Sequence, residues 1–420
     1  MKRPSLPVNA DHPVVRLGQR APRYLSFALF NAAYSGILGL VIPRLSRTAL
    51  LTGIVWATFY LATTLASLVW GHLVVRIGKR VATVLGLAIA IVGMTSLAVA
   101  RGPSLLLAAT LLGVGGAAVQ LTSALYVRAW FPQARWDAQI GTLQTWMGIG
   151  QVGGLLLISV VGGASRGALV GMVILFGAFV LALSLHAPPD ITPIDPETRH
   201  HISVQLLEVG SPTHIFHLAH LRLVDARAAF AGPLPVLLVR WGLLMLVSIP
   251  VLNLVPLLLR QGFGLSPQAI SVGLAVVAAV AVGEYLPVSK VSERTGALRV
   301  LRAGILLRAV GILTLALGAW QHGPGGAALL SYGLIAAAWP PLSVASTIRV
   351  SQLATGDQAG GALGRYNAVA SGARVIGSLA GGTLASRLGY PGLLCGCGVI
   401  LLLLAVLPTP GALSPRTRSD

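Results

Sequence analysis

The sequence predicts an all-α membrane protein that crosses the bilayer many times and consists of two related halves. Its 420 residues are 55% hydrophobic and 10% charged, with a mean hydropathy of +0.82. Apolar runs of about 20 residues, each long enough to cross roughly 30 Å of hydrocarbon, recur along the whole chain. A basic segment between two of these runs appears a second time in the other half of the chain, which indicates an internal duplication.

The same composition excludes other classes of protein. A soluble chain of this length needs more polar residues to cover its surface, and a transmembrane barrel would alternate apolar and polar residues within runs of about 10. The net charge of +19 does not indicate nucleic-acid binding, because the basic residues lie at the ends of apolar runs. Cys395 and Cys397 both lie in the last run, so we expect no disulfide framework, no metal site and no cofactor.

Twelve membrane spans are expected, and most of the loops between them are so short that neighbouring helices pack antiparallel. The chain divides into an arm at 1–23, a first six-helix bundle at 24–186, a polar, proline-rich linker at 187–233, a second six-helix bundle at 234–408 and a tail at 409–420. The apolar runs place the spans at 24–43, 50–74, 82–100, 104–128, 139–161, 167–186, 234–259, 268–289, 300–320, 325–349, 363–385 and 391–408.

The distribution of Lys and Arg predicts the orientation of these spans. If the N-terminal arm is cytoplasmic, 22 of the 30 basic residues fall on the cytoplasmic side, while Arg308 and Arg374 lie within spans. The six on the outside are Arg44, Arg47, Arg101, Arg166, Arg260 and Arg387. The arm lacks the short apolar stretch and the small-residue cleavage site of a signal peptide. We therefore expect both termini in the cytoplasm and the chain in the cell (inner) membrane.

The internal duplication is clearest at two basic elbows, Gly71–Arg80 and Ser289–Arg299. Arg76 and Gly78 match Arg294 and Gly296, and both pairs are 218 residues apart. Offsets of 220 to 223 relate further pairs, which are Arg128 and Arg349, Asp137 and Asp357, Gly141 and Gly364, Gln144 and Asn367, and Gln151 and Arg374. Parallel repeats about an axis along the membrane normal are a transporter architecture, with the substrate site at the interface of the repeats.

Over its whole length the chain resembles the major facilitator superfamily. The motif of that family between spans two and three is G-x-x-x-D-R-x-G-R-[RK]. The first elbow fits this motif at Gly71, Arg76, Gly78, Lys79 and Arg80, with Val75 at the acidic position. The second elbow fits it at Glu293, Arg294 and Gly296, with Ser289 in place of the first glycine.

This resemblance implies the twelve-span fold of the family, alternating access, and a cytoplasmic gate formed by the two elbows. In such a gate a carboxylate lies at a helix N-terminus, where it is electrostatically favoured. Only Glu293 can supply that carboxylate here, with Arg349 as its partner in the gate. The two halves are therefore expected to be gated unequally.

Glu284 is the only one of the eleven acidic residues that lies well inside a span, about 13 Å along the helix from Glu293. An ionisable group at that depth is expensive, so it should face a cavity or a partner. One interpretation is a proton-coupling site, because a carboxylate whose exposure alternates can take up and release a proton. The other is a structural ion pair with Arg308 on the neighbouring helix.

The resemblance also implies that spans one, two, four, five, seven, eight, ten and eleven line the cavity. Arg374, deep in span eleven, is interpreted as a ligand for an anionic group, as a partner of Glu284, or as a structural tether. Its counterpart Gln151 is deep in span five. The remaining candidates, each explained equally well by an interhelical hydrogen bond, are Asn31, Tyr34, Gln120, Tyr126, Gln144, Asn253 and Asn367.

Two further features are treated as structural. Trp339 before Pro340 and Pro341 predicts a kink in span ten. The linker histidines, His214, His217 and His220, have no acidic or cysteine ligand beside them, so we expect a surface helix there rather than a metal site.

These observations predict a secondary transporter, and the first hypothesis is proton-coupled export of a small organic molecule. The alternative is uptake of an anionic metabolite, which Arg374 favours, and a third possibility is a transport-inactive receptor or scaffold of the same fold. An enzyme is not expected, because the sequence has neither a nucleophile–base constellation nor a sizeable soluble domain. The expected partners are the substrate, protons and the lipid bilayer, with no nucleic acid, and the chain is expected to be a monomer.

Overall fold

The computed structural model describes residues 21–131, 136–185, 232–353 and 359–407, and these ranges are almost entirely helical. The first half contains α1 (Ala21–Asn31), a π-helical turn (Ala32–Ile37), α2 (Leu38–Ser46), α3 (Ala49–Ile77), α4 (Lys79–Val99), α5 (Ser104–Trp130), α6 (Trp136–Val161) and α7 (Ala164–Leu183). The second half contains α8 (Pro233–Gln261), α9 (Pro267–Thr295), α10 (Ala297–Trp320), α11 (Gly325–Ala337), α12 (Trp339–Leu353) and α13 (Ala359–Val406). The linker histidines at 214, 217 and 220 lie outside the described residues.

Eleven helices in the described ranges are long and apolar enough to cross a membrane. The last of them, Arg365–Val406, has 42 residues, which at 1.5 Å per residue is about twice the thickness of the hydrocarbon. It is interrupted at Gly389, where φ is 71°, shortly before Pro391. The break at Gly389 therefore separates the final two predicted spans within α13, and the predicted all-α, multi-span fold is confirmed.

Both elbows contain the same glycine turn. Gly78, with φ of 84°, separates α3 from α4, and Gly296, with φ of 90°, separates α9 from α10. Glycine adopts a positive φ at little cost, whereas a residue with a Cβ is strained there. The repeat in the sequence is therefore also a repeat of backbone conformation.

Helix packing repeats at the same offsets. A methyl group placed on Gly93 would lie 2.9 Å from the backbone nitrogen of Leu112, and one placed on Gly311 would lie 2.9 Å from that of Ile335. The two glycines are 218 residues apart, as the elbow glycines are, and Leu112 and Ile335 are 223 apart. In a bilayer, helices associate through such close backbone approach at small residues, so the two bundles share one packing scheme.

Several spans are broken or bent within the membrane. The first contains the π-helical turn Ala32–Ile37, and α8 contains Pro250 and Pro256. The tenth span is divided between α11 and α12 at Ala338, directly before Trp339, where the kink is predicted. Such breaks are tolerated where neighbouring protein or a cavity satisfies the freed backbone groups.

The halves meet along two pairs of helices, α3 with α13 and α6 with α9. In the first pair, a methyl group on Gly53 would lie 2.4 Å from the carbonyl oxygen of Ser378 and 2.8 Å from the Cα of Gly382. In the second, a methyl group on Gly148 would lie 2.4 Å from the Val282 side chain. The space between these two contacts is where a cavity can form.

Gly154→Ala tests the packing inside the first half. The added methyl group would lie 2.1 Å from the carbonyl oxygen of Ala32, so α6 must move away from the first span. We expect the free energy of unfolding to fall by about 1–3 kcal/mol. Thermal unfolding of the purified protein in detergent measures this. Gly153→Ala is the matched control, since nothing lies within 4 Å of a methyl group at that position.

The repeat predicts the same contrast in the second half. Gly377→Ala, whose methyl group would lie 2.6 Å from the carbonyl oxygen of Leu246, should lower the unfolding temperature, while Gly372→Ala, in open space, should not. Equal unfolding temperatures within either pair of variants would contradict the shared packing scheme.

Candidate functional site

A cavity of about 620 Å³ lies between the two halves. Its volume is in the range of pockets that bind small molecules, about 300–1,000 Å³. The polar or charged side chains in its wall are Asn31, Ser35, Tyr60, Gln120, Ser123, Gln144 and Gln151 from the first half and Asn253, Arg308 and Tyr332 from the second. Both halves therefore build one polar cavity with largely apolar walls.

Helix α6 contributes a continuous stripe to this wall. Gln144, Met147, Gly148, Gln151 and Leu155 all line the cavity. Their spacing of three or four residues places them on one face of a helix. Two predicted residues, Gln144 and Gln151, therefore lie on the same side of the cavity, about two helical turns apart.

Two predicted asparagines line the cavity but are also held by neighbours. Asn31 donates to the carbonyl oxygen of Met147 at 2.7 Å and accepts from Ser35 at 2.6 Å. Asn253 accepts from Tyr60 at 3.2 Å and donates to Ser378 at 2.9 Å. The bond between Tyr60 and Asn253 joins the halves across the cavity wall, so in this conformation both asparagines have an interhelical role.

Arg308 on α10 lines the cavity, whereas the sequence suggested it only as an ion-pair partner of Glu284. Its side chain is 1% exposed, yet it belongs to the cavity wall. The guanidinium donates one bond, from Nη2 to the carbonyl oxygen of Ile335 at 3.2 Å, and lies 5.3 Å from the centre of the Trp339 ring. Its Nε and Nη1 have no hydrogen-bond partner among the described residues. The resemblance omits span nine from the cavity, so no pattern in the chain pointed to this position.

Glu284 is partly buried on α9 and is the only carboxylate among the side chains that the structure describes. It follows Val277 by seven residues and Ala281 by three, and both of these line the cavity. Two helical turns bring Glu284 to the same face, about 10 Å further toward the second elbow. Within the described ranges no ion pair joins it to Arg308 or Arg374.

Four predicted cavity residues, Arg374, Tyr34, Tyr126 and Asn367, are not part of the described cavity wall. Arg374 is partly buried and lies close enough to Tyr60, a residue of the cavity wall, and to Tyr34 for its charge to act on both. It is therefore near the wall without being part of it. Tyr34 is buried against Gly116 and stacked on Phe30, with ring centres 4.7 Å apart.

The elbow residues lie at one end of the bundle, which we name the elbow end. Arg76 and Arg294 are exposed there. Arg80 donates to the carbonyl oxygen of Leu183, and Arg349 donates to Gln352 at 3.3 Å. The side chain of Glu293 lies outside the described residues, so the predicted gate contact of that carboxylate stays a prediction.

The opposite end, which we name the arginine end, holds Arg44, Arg47, Arg101 and Arg260 around a surface depression of about 1,470 Å³. Arg44 joins the two halves there: its Nη2 donates to the carbonyl oxygen of Pro267 at 2.9 Å and to Ser271 at 2.8 Å. Gln261 donates to the carbonyl oxygen of Arg47 at 3.0 Å. No pattern in the sequence indicates these contacts, because an arginine at the end of a span is ordinary.

An apolar layer separates this depression from the cavity. The depression and the cavity share no lining residue. Between them, Leu40 and Pro43 of α2 face Pro256 of α8 and Ile270 of α9 across a gap of about 10 Å³. Together with the Arg44 bonds, this layer lies between the cavity and the arginine end.

Comparisons with known proteins agree with this architecture. The sequence profile of the Major Facilitator Superfamily matches the chain over residues 24–352 and 251–419. No curated protein sequence matches it.

Three solved structures illustrate the similarity. A mutant of the nucleoside transporter NupG is 14% identical, with a TM-score of 0.72 over 91% of this chain and 97% of that one. A D-xylose-proton symporter is 16% identical, with a TM-score of 0.68 over 93% and 98%. A POT family transporter in complex with 5-aminolevulinic acid is 16% identical, with a TM-score of 0.69 over 92% and 94%. At these identities the likeness shows the fold.

The α6 stripe predicts which positions meet water. With Cys395 and Cys397 replaced by serine, Gln151→Cys should react with N-ethylmaleimide, because a thiol in a wet cavity forms the reactive thiolate. Ile149→Cys is the control: Ile149 is 53% exposed on the same helix but is absent from the cavity wall, so it should meet lipid. Mass spectrometry measures the labelling. Faster labelling of Ile149→Cys than of Gln151→Cys would show that the stripe is assigned to the wrong face.

Proposed function

The chain belongs to the major facilitator superfamily, and we propose that it carries a small organic molecule across the cell membrane by alternating access. The observation that supports this most directly is the polar cavity between two repeat-related bundles. Rocking of one bundle against the other exposes such a cavity to each side of the membrane in turn. A transport-inactive receptor or scaffold has no need of the unpaired polar groups that this wall retains.

We propose that the elbow end and both termini face the cytoplasm, as the distribution of basic residues favours. The arginine end then faces outward and is closed in this conformation by Arg44 and the apolar layer around Pro43 and Pro256. Opening it requires that the Arg44 bonds break and that the elbows approach each other. In that outward-open state the carboxylate of Glu293 and Arg349 take up the gating role.

Transport is coupled to protons through Glu284 in this proposal. It lies on the cavity face of α9 without an ion-pair partner among the described residues, so nothing there holds it permanently charged. As the halves rock, its access to water changes, and it takes up a proton on one side and releases it on the other.

Two directions of transport follow from different features of the site. Export is favoured by the apolar walls, to which Leu252, Leu274 and Val277 contribute, and by the glycine-rich face of α6. Uptake of an anionic metabolite is favoured by the unpaired guanidinium of Arg308 in the cavity wall and by Arg374 near it.

Glu284→Gln tests the proton coupling. A thermal-shift screen of a compound library on the purified protein first identifies compounds that bind, and counterflow with the unsubstituted chain then selects one that is transported. In proteoliposomes the variant should exchange that compound across the membrane without a gradient, but should neither accumulate it in response to a pH gradient nor move protons with it. Glu284→Asp is the control that keeps the carboxylate and should retain coupling. Undiminished proton movement in Glu284→Gln would remove the assignment.

Arg44→Ala tests the closure of the arginine end. Loss of charge-assisted bonds worth about 1.5 kcal/mol or more should raise the proportion of molecules open at that end roughly tenfold. Spin labels at Ser165→Cys and Gln321→Cys, in a chain without other cysteines, report the distance across this end by double electron–electron resonance.

Arg47→Ala is the matched control for this measurement. Its contact across the halves is made by its backbone carbonyl, which alanine retains, so the distance distribution should stay as in the unsubstituted chain. Identical distributions for Arg44→Ala and Arg47→Ala would show that the Arg44 bonds do not hold this end closed.

A further inference from the structure

The guanidinium of Arg308 is a buried positive charge that the protein itself leaves largely unsatisfied. It is 1% exposed, and two of its three nitrogens have no hydrogen-bond partner among the described residues. The remaining contacts, with the Ile335 carbonyl oxygen and the face of Trp339, are made by a neutral group and a ring. Arginine stays charged in proteins, so this position carries a full positive charge in the middle of the bundle.

Nothing in the described part of the chain neutralises that charge. The only described carboxylate, Glu284, makes no ion pair with it and does not belong to the cavity wall. An uncompensated buried charge is strongly destabilising, and such a group is retained in a membrane span chiefly where it meets a substrate or an ion. Because Arg308 is part of the cavity wall, a molecule in the cavity is in a position to supply the missing partner.

We infer that Arg308 is the binding site for the anionic group of the substrate, and that the substrate class is small organic anions with an apolar, planar body. This inference rests on the proposed transport function and names what the same cavity carries. A guanidinium donates the parallel hydrogen bonds that a carboxylate or a related anionic group accepts. A positive wall without a counter-ion also excludes organic cations.

The other walls fit the body of such an anion. Trp339 and Tyr332 lie on the Arg308 side of the cavity. Trp56 and Tyr60 lie on the opposite half, with ring centres 5.7 Å apart and a 24° angle between their planes. Aromatic side chains pack well against planar rings. The amides of Gln144 and Gln151, for which no partner is described, remain for a second polar group of the substrate.

Matched acids and amides test the inference on purified protein in detergent. The probes are benzoate, 3-phenylpropionate and indole-3-acetate, each compared with its amide at the same concentration, and the readout is the shift in unfolding temperature. At least one acid should bind at least tenfold more tightly than its amide. This preference should disappear in Arg308→Gln and persist in Arg387→Gln, which removes an exposed arginine outside the cavity. Equal binding of acids and amides, or a preference that survives in Arg308→Gln, would overturn it.

Stability without ligand separates this role from a structural one. If Arg308 is kept for an anion, Arg308→Leu removes an unsatisfied buried charge, and the unliganded protein should unfold at the same or a higher temperature while acid binding is lost. If Arg308 is a tether for Ile335 and Trp339, the unfolding temperature should fall, which contradicts the inference.

Counterflow in proteoliposomes distinguishes failure of the anion inference from failure of the transport proposal. Gly39→Trp fills the cavity, because Gly39 lines it and nothing lies within 4 Å of a methyl group at that position, and should block counterflow of any substrate that uses the cavity. Counterflow of neutral compounds alone, blocked by Gly39→Trp, would remove the anion inference and leave the transport proposal standing. Acid-selective binding without counterflow of any compound would support the Arg308 site and remove the transport proposal.

Discussion

The cost of placing a charge or an unpaired backbone group in hydrocarbon is the constraint on which this structure depends. Continuous helices satisfy the backbone, and glycines such as Gly93 and Gly311 let those helices pack through backbone contact. Three charged residues nevertheless remain deep in the described spans: Glu284, Arg308 and Arg374. Each lies at or near the cavity where the halves meet. The same constraint that removes charge from the rest of the bundle therefore marks this interface as the candidate functional site.

The repeat preserves shape but not charge. The elbow glycines and the packing glycines of the two halves correspond at constant offsets. At those offsets, however, Glu284 corresponds to Ala66, Arg308 to Ala90 and Arg374 to Gln151. Ala90 is fully buried against Gly115 and has no access to the cavity. The first half thus supplies neutral amides and the second half all three charges, so the chemistry of the cavity is one-sided although its architecture is symmetric.

The sequence was sufficient for the fold because its signals are local: apolar runs set the spans, and the elbow glycines set the repeat. It also identified Gln144, Gln151, Asn31 and Asn253, since polar side chains within spans are few and each must face a partner or a cavity. It did not indicate that Arg308 lines the cavity, and it left open whether Arg374 and Tyr34 face it, because a helix that is apolar all round does not reveal which face turns inward. The contacts of Arg44 depend on how the two halves dock, which no local pattern records.

The class of substrate bears on the direction of transport. In the proposed mechanism a proton on Glu284 removes a negative charge from the cavity region and an anion on Arg308 adds one, so each stabilises the binding of the other. The coupling between proton and anion has the same sign if unprotonated Glu284 turns toward Arg308. The substrate anion then competes with the Glu284 carboxylate for Arg308, so binding of the anion favours the protonated form of Glu284. Ligands that bind more tightly together are carried together. An inward proton gradient then drives uptake of the anion, whereas export by exchange requires a substrate that competes with the proton. The unpaired guanidinium of Arg308 therefore favours uptake of an organic anion with a proton over the exchange that the apolar walls alone suggest.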